Sequence, residues 1–365
     1  MKITNLKIKN FRNYENINLN FSNYKNIIIG DNGMGKTNIV EAIYYLALTK
    51  SFRTNNEQVL IREGADYAVI EGTILNRIRN NYRIVIRKDG KSIKIDNRPI
   101  SSIGDYISKL NMVVFSREDL KLIKDNPSVH RKLINMDLSV FNNDYLKKLS
   151  LYNKILKQRN CYLKNLKGKS NDYNDYLDII TSKLIDVGLE INVIRYNYIL
   201  EINKNLGRIF SKSVKKGDLY LKYVSSYNNK TKDVLINEYK KSIVKDINYG
   251  MTHIGIHLDD YLFEIDGKLA KEFLSEGEQK SAVIAFKLSE IQYCINVMKT
   301  TPILILDDLF SALDDKKINK IIGSFNKNFQ IFITTTDLNN LNKRLLKDCL
   351  VIKIKDKKVE VKEYE

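Results

Sequence analysis

The stretch Gly30-Asp31-Asn32-Gly33-Met34-Gly35-Lys36-Thr37 fits the pattern G-x-x-x-x-G-K-[ST], which is the phosphate-binding loop of many nucleotide-binding proteins. An apolar run, Asn26–Ile29, precedes it and predicts a strand. Behind it, apolar residues recur at the spacing of one helix face: Ile39, Ala42, Ile43 and Leu46. A strand before the loop and a helix after it form the context in which this motif binds phosphate. The stretch therefore predicts an α/β fold built around a nucleotide site.

Every residue of this phosphate loop (Gly30–Thr37) is a candidate nucleotide contact. Glycines let successive backbone N–H groups point at phosphate oxygens, and the N-terminus of the following helix adds partial positive charge. Lys36 is expected to reach the β- and γ-phosphates of ATP, and the Thr37 hydroxyl is expected to bind Mg²⁺. The alternative is a glycine-rich turn that only happens to precede a helix, and the strand and helix on either side argue against it.

A second apolar run, Ile303–Leu306, ends in two adjacent carboxylates. Asp307 is expected to bind Mg²⁺ beside Thr37, usually through water. Asp308 is expected to polarise the attacking water as a general base, which makes it the candidate catalytic residue. The stretch Ser311–Asp314 follows shortly after and belongs to the same pattern.

Upstream of these carboxylates lies Leu274-Ser275-Glu276-Gly277-Glu278-Gln279-Lys280, which opens another predicted helix. Alone it is weak, because a serine is a common N-cap of a helix. In order with the other two motifs it resembles the signature of the ABC-type ATPases. That resemblance implies an ATP-dependent homodimer in which the signature of one head contacts the nucleotide of the other. The residues implied as nucleotide contacts are Ser275, Gly277, Glu278 and Gln279.

Composition limits the class of partner. The chain has 365 residues, a formal net charge of +18 and an isoelectric point near 9.4, which favours a polyanion such as nucleic acid or a membrane surface. Lysine is far commoner than arginine, so part of this charge can reflect genome composition. The three cysteines lack metal-ligand spacing and predict reduced thiols in a cytoplasmic protein. No apolar run reaches membrane-spanning length, so a transporter would need its membrane part on another chain.

The N-terminal third predicts further strands around the loop. Residues 3–10 and 17–21 alternate apolar and polar side chains, and residues 67–98 predict a small antiparallel sheet with a turn at Asp89-Gly90. A strand at Met112–Phe115 then leads into Ser116–Leu120. In ABC heads a glutamine that senses Mg²⁺ and water stands at this place. None stands here, so Glu118 or Asp119 is a candidate substitute.

A second residue that ABC heads usually carry is missing near the C-terminus. The predicted strand Phe329–Ile333 enters Thr334-Thr335-Thr336-Asp337, where ABC heads usually carry a histidine that holds the γ-phosphate. No histidine is present, so the hydroxyl of Thr335 or Thr336 is the candidate donor.

The middle of the chain predicts two helices with heptad spacing, joined by a short polar loop near Gly168–Asn171. Arg159 is the one polar interruption of the apolar pattern in the first of them. They form either an antiparallel coiled-coil stub or two amphipathic helices of a bundle. We divide the chain into an N-terminal part of an ATPase head (1–125), an inserted helical domain (126–250) and a C-terminal part of the head (251–365). Residues 140–250 carry ten more basic than acidic side chains. The candidate DNA contacts at the tip are Lys164, Lys167 and Lys169, although a solvated helix face explains such lysines equally well.

Over nearly its whole length the chain resembles the RecF family of bacterial recombinational-repair proteins. Some stretches that carry the resemblance are not needed for ATP chemistry: Lys50–Thr54, Leu60–Asp66, Phe115–Leu120, Pro127–Asp137, Leu156–Asn160 and Gly250–Asp260. The chain departs from the family pattern at Asp125, His130, Ile256 and Leu258, none of which lies in the nucleotide motifs. We therefore expect an ABC-type P-loop ATPase head with an antiparallel β subdomain and an inserted helical domain.

The resemblance also implies a function. Members of this family dimerise on ATP and clamp DNA at single-strand gaps, where they contact single-stranded and gapped duplex DNA. With RecR and RecO they promote RecA loading and SOS induction, and their ATPase is slow and stimulated by DNA. Arg53 is a candidate link between DNA and nucleotide, because ABC-type chromosome proteins carry an arginine there; the alternative is an ordinary surface arginine.

Two other classes stay open from the sequence. The chain could be the head of a chromosome-organising SMC-like protein, although the inserted helices are much shorter than SMC arms. It could be the ATPase subunit of an ABC transporter, although the basic charge, the insertion and the missing histidine argue against this.

Overall fold

The computed structural model describes residues 1–54, 56–76, 78–100, 102–107, 110–167, 175–308, 319, 321–343, 346–355 and 358–364. They form two compact units, one of Met1–Asp119 with Glu290–Glu365 and one of Leu120–Ser289. The boundaries of the three segments drawn from the sequence stay a prediction. Within the described residues, no helix has both the length and the hydropathy needed to cross a membrane.

In chain order the N-terminal elements are β1 (Lys2–Phe11), β2 (Tyr14–Asn20), β3 (Lys25–Ile29), α1 (Lys36–Leu48), β4 (Tyr67–Leu75), β5 (Arg79–Arg87), β6 (Gly90–Ile95), β7 (Arg98–Pro99), α2 (Ile103–Ile107) and β8 (Met112–Phe115). The second unit contains α3 (Lys121–Lys124), α4 (Pro127–Phe141), α5 (Asn143–Asn165), α6 (Asp175–Phe210), β9 (Leu219–Val224), α7 (Lys232–Tyr249), β10 (Asp260–Ile265), β11 (Lys268–Leu269), α8 (Ala270–Phe273) and the start of α9 (Glu276–Asn296). The chain closes with β12 (Ile303–Leu306), β13 (Ile331–Thr335), β14 (Cys349–Lys355) and β15 (Lys358–Tyr364).

The first unit is built on a six-stranded sheet in the order β15-β14-β3-β13-β12-β8, parallel except at β15. All four residues of β12 are buried, as a strand covered on both faces requires. Because parallel strands end at the same edge, the phosphate loop after β3 and the aspartates after β12 lie at one edge, with β13 between them. The strand predicted before the loop motif, the helix predicted after it and the strand predicted before the carboxylate pair are confirmed.

A second sheet in the first unit is antiparallel, in the order β2-β1-β4-β5-β6-β7. Buried and exposed positions alternate along β2 and β5, as the apolar and polar residues do in the sequence. Arg87 pairs with Gly90, so the predicted hairpin is confirmed, but its two connecting residues are Lys88 and Asp89, one position earlier than the predicted Asp89-Gly90. This is the small antiparallel sheet expected beside the nucleotide core.

The two heptad helices, α5 and α6, belong to a bundle. Helix α6 packs against α5, α7 and β9, and α5 also contacts α4 and α7. The buried side chains of α6 cover a wider face than one heptad seam. Besides Leu177, Leu184 and Ile191 they include Ile185 and Ile199, which lie on a neighbouring stripe. Several packing partners need a wider apolar face than a two-helix seam provides. Of the two alternatives that the heptad spacing left open, the structure therefore shows the bundle; the loop at Gly168–Asn171 lies outside the described residues.

Two arginines are buried in this bundle. Arg159, the polar interruption of the heptad pattern, has no exposed surface and donates through Nη1 to Asp246 Oδ2 at 2.8 Å and to Thr252 Oγ1 at 2.7 Å. Arg195 donates through Nη1 to Asp259 Oδ2 at 2.6 Å and to the carbonyl of Ile256 at 2.8 Å. These contacts join α5 to α7, through Asp246, and join both α5 and α6 to the loop before β10. The stretches Leu156–Asn160 and Gly250–Asp260, which carry no nucleotide motif, therefore have a structural role.

The second unit also holds a small sheet in the order β11-β10-β9, which leaves β9 at one edge. The side chain of Asn203, from α6, lies against that edge. Its Nδ2 donates to the carbonyl of Leu221 at 2.8 Å, and its Oδ1 accepts from the Leu221 N–H at 2.9 Å. The amide thus pairs with β9 as a neighbouring strand would.

Candidate nucleotide-binding site

The phosphate loop turns sharply between β3 and α1. Gly33 and Gly35 have φ of 81° and 101°, in the left-handed region that side chains with a Cβ rarely adopt. A Cβ on Gly35 would also lie 2.6 Å from Asn13 Nδ2 and 2.7 Å from Tyr14 Oη. Position 35 therefore requires glycine for both conformation and space, and helix α1 begins at the next residue with its N–H groups at the loop.

Lys36 is the first residue of α1, and its side chain turns back over the loop. Its Nζ donates to the carbonyls of Gly30, at 2.5 Å, and Asp31, at 2.9 Å. Burial lowers the pKa of Lys36, while the nearby carboxylates of Asp308, Asp31 and Asp307 act in the opposite direction. The ammonium group therefore lies inside the loop among the side chains that the sequence assigned to phosphate and metal.

Thr37 and Asp307 meet although 270 residues separate them in the chain. The Thr37 hydroxyl donates to Asp307 Oδ1 at 3.2 Å, and the hydroxyl of Thr334, from β13, donates to the same oxygen at 2.8 Å. Burial is the largest effect on Asp307 and raises the pKa of its carboxyl, against the two hydroxyl hydrogen bonds. A hydroxyl and a carboxylate are oxygen donors of the kind that Mg²⁺ prefers, so the pair fits the metal expected with ATP.

Asp308 follows directly and has a different environment. Its φ is 54°, and its N–H donates to Thr334 Oγ1 at 2.8 Å. Its Oδ2 forms an ion pair with Arg117 Nη2 at 2.7 Å. Asp119, one of the two residues considered for the missing glutamine, is buried and accepts from the Ser116 N–H at 2.6 Å. Arg117, which the sequence reasoning did not consider, contacts Asp308 from this stretch.

Arg53 is connected to α1, the helix that follows the phosphate loop, by the buried carboxylate of Glu41. Glu41 has no exposed surface and accepts two hydrogen bonds from Arg12, at 2.7 and 2.9 Å. The Arg53 Nη1 lies 3.4 Å from Glu41 Oε2 and donates to Asn38 Oδ1 at 2.9 Å. Ser51 donates to Glu41 as well, at 2.5 Å, and accepts from the Arg53 N–H. Arg53 is thus connected to the helix that begins in the phosphate loop, with its side chain 42% exposed.

The signature stretch (Leu274–Lys280) forms the start of α9, in the second unit. The Ser275 N–H donates to Glu278 Oε2 at 2.9 Å, which is the return bond of a capping box. Glu278 is also paired with Lys216 at 2.9 Å, and the amide of Gln279 donates to the carbonyl of Leu274 at 2.9 Å. The predicted helix start is confirmed; the nucleotide contacts of Ser275, Gly277, Glu278 and Gln279 stay a prediction.

Lys164 and Lys167 are exposed at the end of α5, whereas Lys169 and Ser311–Asp314 lie outside the described residues. The Thr335 hydroxyl donates to the carbonyl of Asp337 at 2.9 Å. Thr334 was missed as a site residue. Its position one strand away from β12 supplies the signal, because neighbouring parallel strands end side by side.

Comparisons with known proteins agree with this geometry. A family model described as the RecF/RecN/SMC N-terminal domain matches residues 2–360. Proteins named DNA replication and repair protein RecF are similar over nearly the whole chain. One from Geobacillus sp. (strain WCH70) is 35% identical and one from Bacillus subtilis (strain 168) is 34% identical, with 97% and 98% of this chain and 97% and 99% of each relative covered.

Solved structures give the same result. A structure titled recombination mediator protein RecF-ATP in the RecFOR pathway matches with a TM-score of 0.91 and 28% identity, over 99% of this chain and 97% of that one. An Smc head bound to the C-winged helix domain of ScpA matches with a TM-score of 0.55 at 18% identity, over 99% of this chain and 97% of that one, and shows a shared fold alone. The fold is that of an ABC-type ATPase head with an antiparallel β subdomain and an inserted helical part, and the chain belongs to the RecF family of DNA replication and repair proteins.

Proposed function

We propose that the chain is an ATP-dependent DNA-binding protein of recombinational repair and replication-fork maintenance. ATP binding closes two copies around DNA, and hydrolysis separates them. The observation that carries this proposal is the hydrogen bond between Thr37 and Asp307, which unites two ATPase motifs 270 residues apart. Support comes from the relatives, which are named DNA replication and repair proteins, and from the solved structure of RecF-ATP.

Each loop residue has a role in the nucleotide step. The loop N–H groups and Lys36 bind the phosphates, while Thr37 and Asp307 hold Mg²⁺. Bound Mg²⁺ supplies charge neutralisation at the β- and γ-phosphates. Asp308 accepts a proton from water aligned with the γ-phosphate, so it is the general base. Hydrolysis is slow and stimulated by DNA, because ATP serves mainly as a dimerisation switch.

The homodimer supplies the second half of the site. The signature of one copy, with Ser275 at a helix N-terminus, faces the γ-phosphate bound by its partner, where the N-terminal N–H groups stabilise negative charge. The capping box between Ser275 and Glu278 holds this helix start in shape. Loss of the γ-phosphate removes the shared ligand, and the copies separate.

DNA is the polyanion that the charge of +18 suits. Phosphates bound by lysine and arginine release counterions, so affinity is largely independent of sequence and falls with salt. Lys164, Lys167 and Lys169 are proposed contacts on the helical part, and Arg53 is proposed to connect DNA to α1. Following the family, we propose gapped duplex and single-stranded DNA as ligands, RecR and RecO as partners, and promotion of RecA loading and SOS induction as the outcome.

The Asp308→Asn substitution tests the switch. Asn at this position removes the base but leaves Asp307 to hold Mg²⁺, so ATP should stay bound and the dimer should persist. We expect sedimentation to report a dimer with Mg²⁺–ATP and a monomer with Mg²⁺–ADP.

Lys36→Ala is the matched control, because it removes a phosphate ligand and should leave a monomer with either nucleotide. A monomeric Asp308→Asn protein with Mg²⁺–ATP, both alone and with gapped DNA, would contradict the proposal. It would mean that Ser275–Lys280 is only a capped helix start.

A further inference from the structure

Arg117 and Asp308 are brought together by the register of the parallel sheet. Strands β8 and β12 are neighbours, and Phe115 pairs with Leu306 at their carboxyl ends. The Asp307 N–H donates to the carbonyl of Phe115 at 2.9 Å, which holds the two strand ends together. The residues just beyond the strands therefore face each other, and Arg117 lies within ion-pair distance of the proposed general base.

The backbone around each partner is well defined. Ser116–Asp119 forms a tight turn, in which the Asp119 N–H donates to the carbonyl of Ser116 at 3.2 Å and the Asp119 carboxylate accepts from the Ser116 N–H. Asp119 is turned toward its own backbone, and Arg117 projects to Asp308. On the other side, the hydrogen bond to Thr334 anchors the N–H of Asp308. The contact joins two constrained loop ends.

The contact also lies beside the expected phosphate position. Asp308 directly follows Asp307, whose Oδ1 accepts from the hydroxyl of Thr37 at 3.2 Å, and Thr37 is the neighbour of Lys36 in the phosphate loop. Arg117 therefore has two potential anionic partners, the Asp308 carboxylate and a γ-phosphate. A guanidinium group binds phosphate in a fork geometry and with high strength, so a bound γ-phosphate competes with Asp308.

We propose that Arg117 is the residue that senses the γ-phosphate, by exchanging its ion pair with Asp308 for a contact with the phosphate. The inference rests on the proposed function, because it assumes ATP in the loop. While Arg117 is bonded to Asp308, the carboxylate is engaged and unavailable as a base. When Arg117 moves to the phosphate, the carboxylate of Asp308 loses this cation and can accept a proton from water. ADP lacks the competing group and leaves the ion pair in place.

The exchange predicts that the affinity for ATPγS depends on Arg117, whereas the affinity for ADP does not. In Arg117→Ala, the contact with the γ-phosphate is lost and the carboxylate of Asp308 repels that phosphate. We expect the dissociation constant of ATPγS to rise about tenfold, while that of ADP changes less than about twofold. Arg117→Lys keeps the charge without the fork and should raise the ATPγS dissociation constant about threefold. Both constants are measured by titration of the full chain with Mg²⁺ present.

Arg83→Ala is the matched control. Arg83 pairs with Glu71 at 3.1 Å in the antiparallel sheet, and the side-chain exposures of this pair, 51% and 36%, resemble the 58% and 35% of Arg117 and Asp308. Its loss should leave both dissociation constants unchanged. A general disturbance of the unit would change ADP binding too, so the ratio of the two constants separates sensing from folding.

A double-mutant cycle tests the exchange itself. Asp308→Asn should strengthen ATPγS binding more in the presence of Arg117 than in Arg117→Ala, because only in the first case does it release a held arginine. Equal gains in both backgrounds, or an Arg117→Ala protein that keeps its ATPγS-to-ADP preference, would overturn the inference. If the wild-type chain binds neither nucleotide, it is the proposed function that fails.

Discussion

Of the three pairs of adjacent aspartates in the sequence, the structure describes two, and the contacts of their carboxylates differ. In Asp259-Asp260 the first carboxylate is buried against the guanidinium of Arg195, and the second pairs with His130 Nδ1 at 2.7 Å. In Asp307-Asp308 the first carboxylate is also buried, but its hydrogen bonds in the described part of the chain come from hydroxyl groups. Among the residues that the structure describes, the neighbour Asp308 forms an ion pair, with Arg117, whereas Asp307 forms none.

Burial raises the pKa of both Asp259 and Asp307, and it is the largest effect on each. At Asp259, Arg195 acts most strongly in the opposite direction, so the protein supplies its own cation. At Asp307 the opposing contacts are neutral donors first. A buried carboxylate with neutral partners is costly unless a cation joins it. The difference distinguishes a structural pair from one suited to a metal.

The largest effect is expected at the structural pair. Arg195→Met leaves the carboxylate of Asp259 buried without its cation, and removal of one member of a buried ion pair costs about 3–5 kcal/mol. The free energy of unfolding of the variant, measured with denaturant, should fall by that amount.

Lys222→Met in the same unit is the control, because the Lys222 side chain is 53% exposed where it pairs with Glu264 at 3.0 Å. Its cost should stay below about 1 kcal/mol. If the two substitutions cost the same, Arg195 contributes no more than a surface charge, and the comparison fails.

At Asp307-Asp308 we expect a loss of Mg²⁺-dependent ATP binding and not a loss of stability. Asp307→Asn removes a buried charge but keeps an oxygen that accepts from Thr37 and Thr334, so the free energy of unfolding without ligands should change by less than about 1 kcal/mol. The gain in ATP affinity on adding Mg²⁺ should shrink at least about tenfold. Titrations with Mg²⁺ and with EDTA measure this, and an undiminished Mg²⁺ effect would remove Asp307 from the metal site.

The smallest effect concerns pH. Because burial raises the folded-state pKa of Asp307 above its ordinary value of 3.8, the folded state binds the proton more tightly than the unfolded state. Its contribution to stability is therefore greatest below pH 3.8 and is lost as the pH rises through the raised pKa. The slope cannot exceed about 1.4 kcal/mol per pH unit.

The difference between wild type and Asp307→Asn isolates this effect from the other carboxylates. Without Mg²⁺, the wild type should lose stability relative to the variant as the pH rises above 3.8. A difference that does not vary with pH would mean that Asp307 titrates alike in both states.

The nucleotide motifs were predictable from sequence because each is a short local pattern. Gly30–Thr37 specifies a turn, and Ile303–Asp308 a buried strand with carboxylates at its end. Thr334 and Arg117 were not found, since they reach Asp307 and Asp308 through the order of strands in the sheet. Arg159 looked like an interruption of a heptad seam because its partner, Asp246, is 87 residues away. Local periodicity predicts which residues are buried but not what a buried charge binds.

The amide of Asn203 has a consequence for self-association. The unpaired N–H and carbonyl groups of an edge strand can bind an extended segment of another chain as a further strand, which is a common route to aggregation. At Leu221 the side chain of Asn203 already binds both the N–H and the carbonyl group with which an incoming strand would pair. A protein whose copies are proposed to join only while ATP is bound benefits from having this irreversible route of assembly blocked.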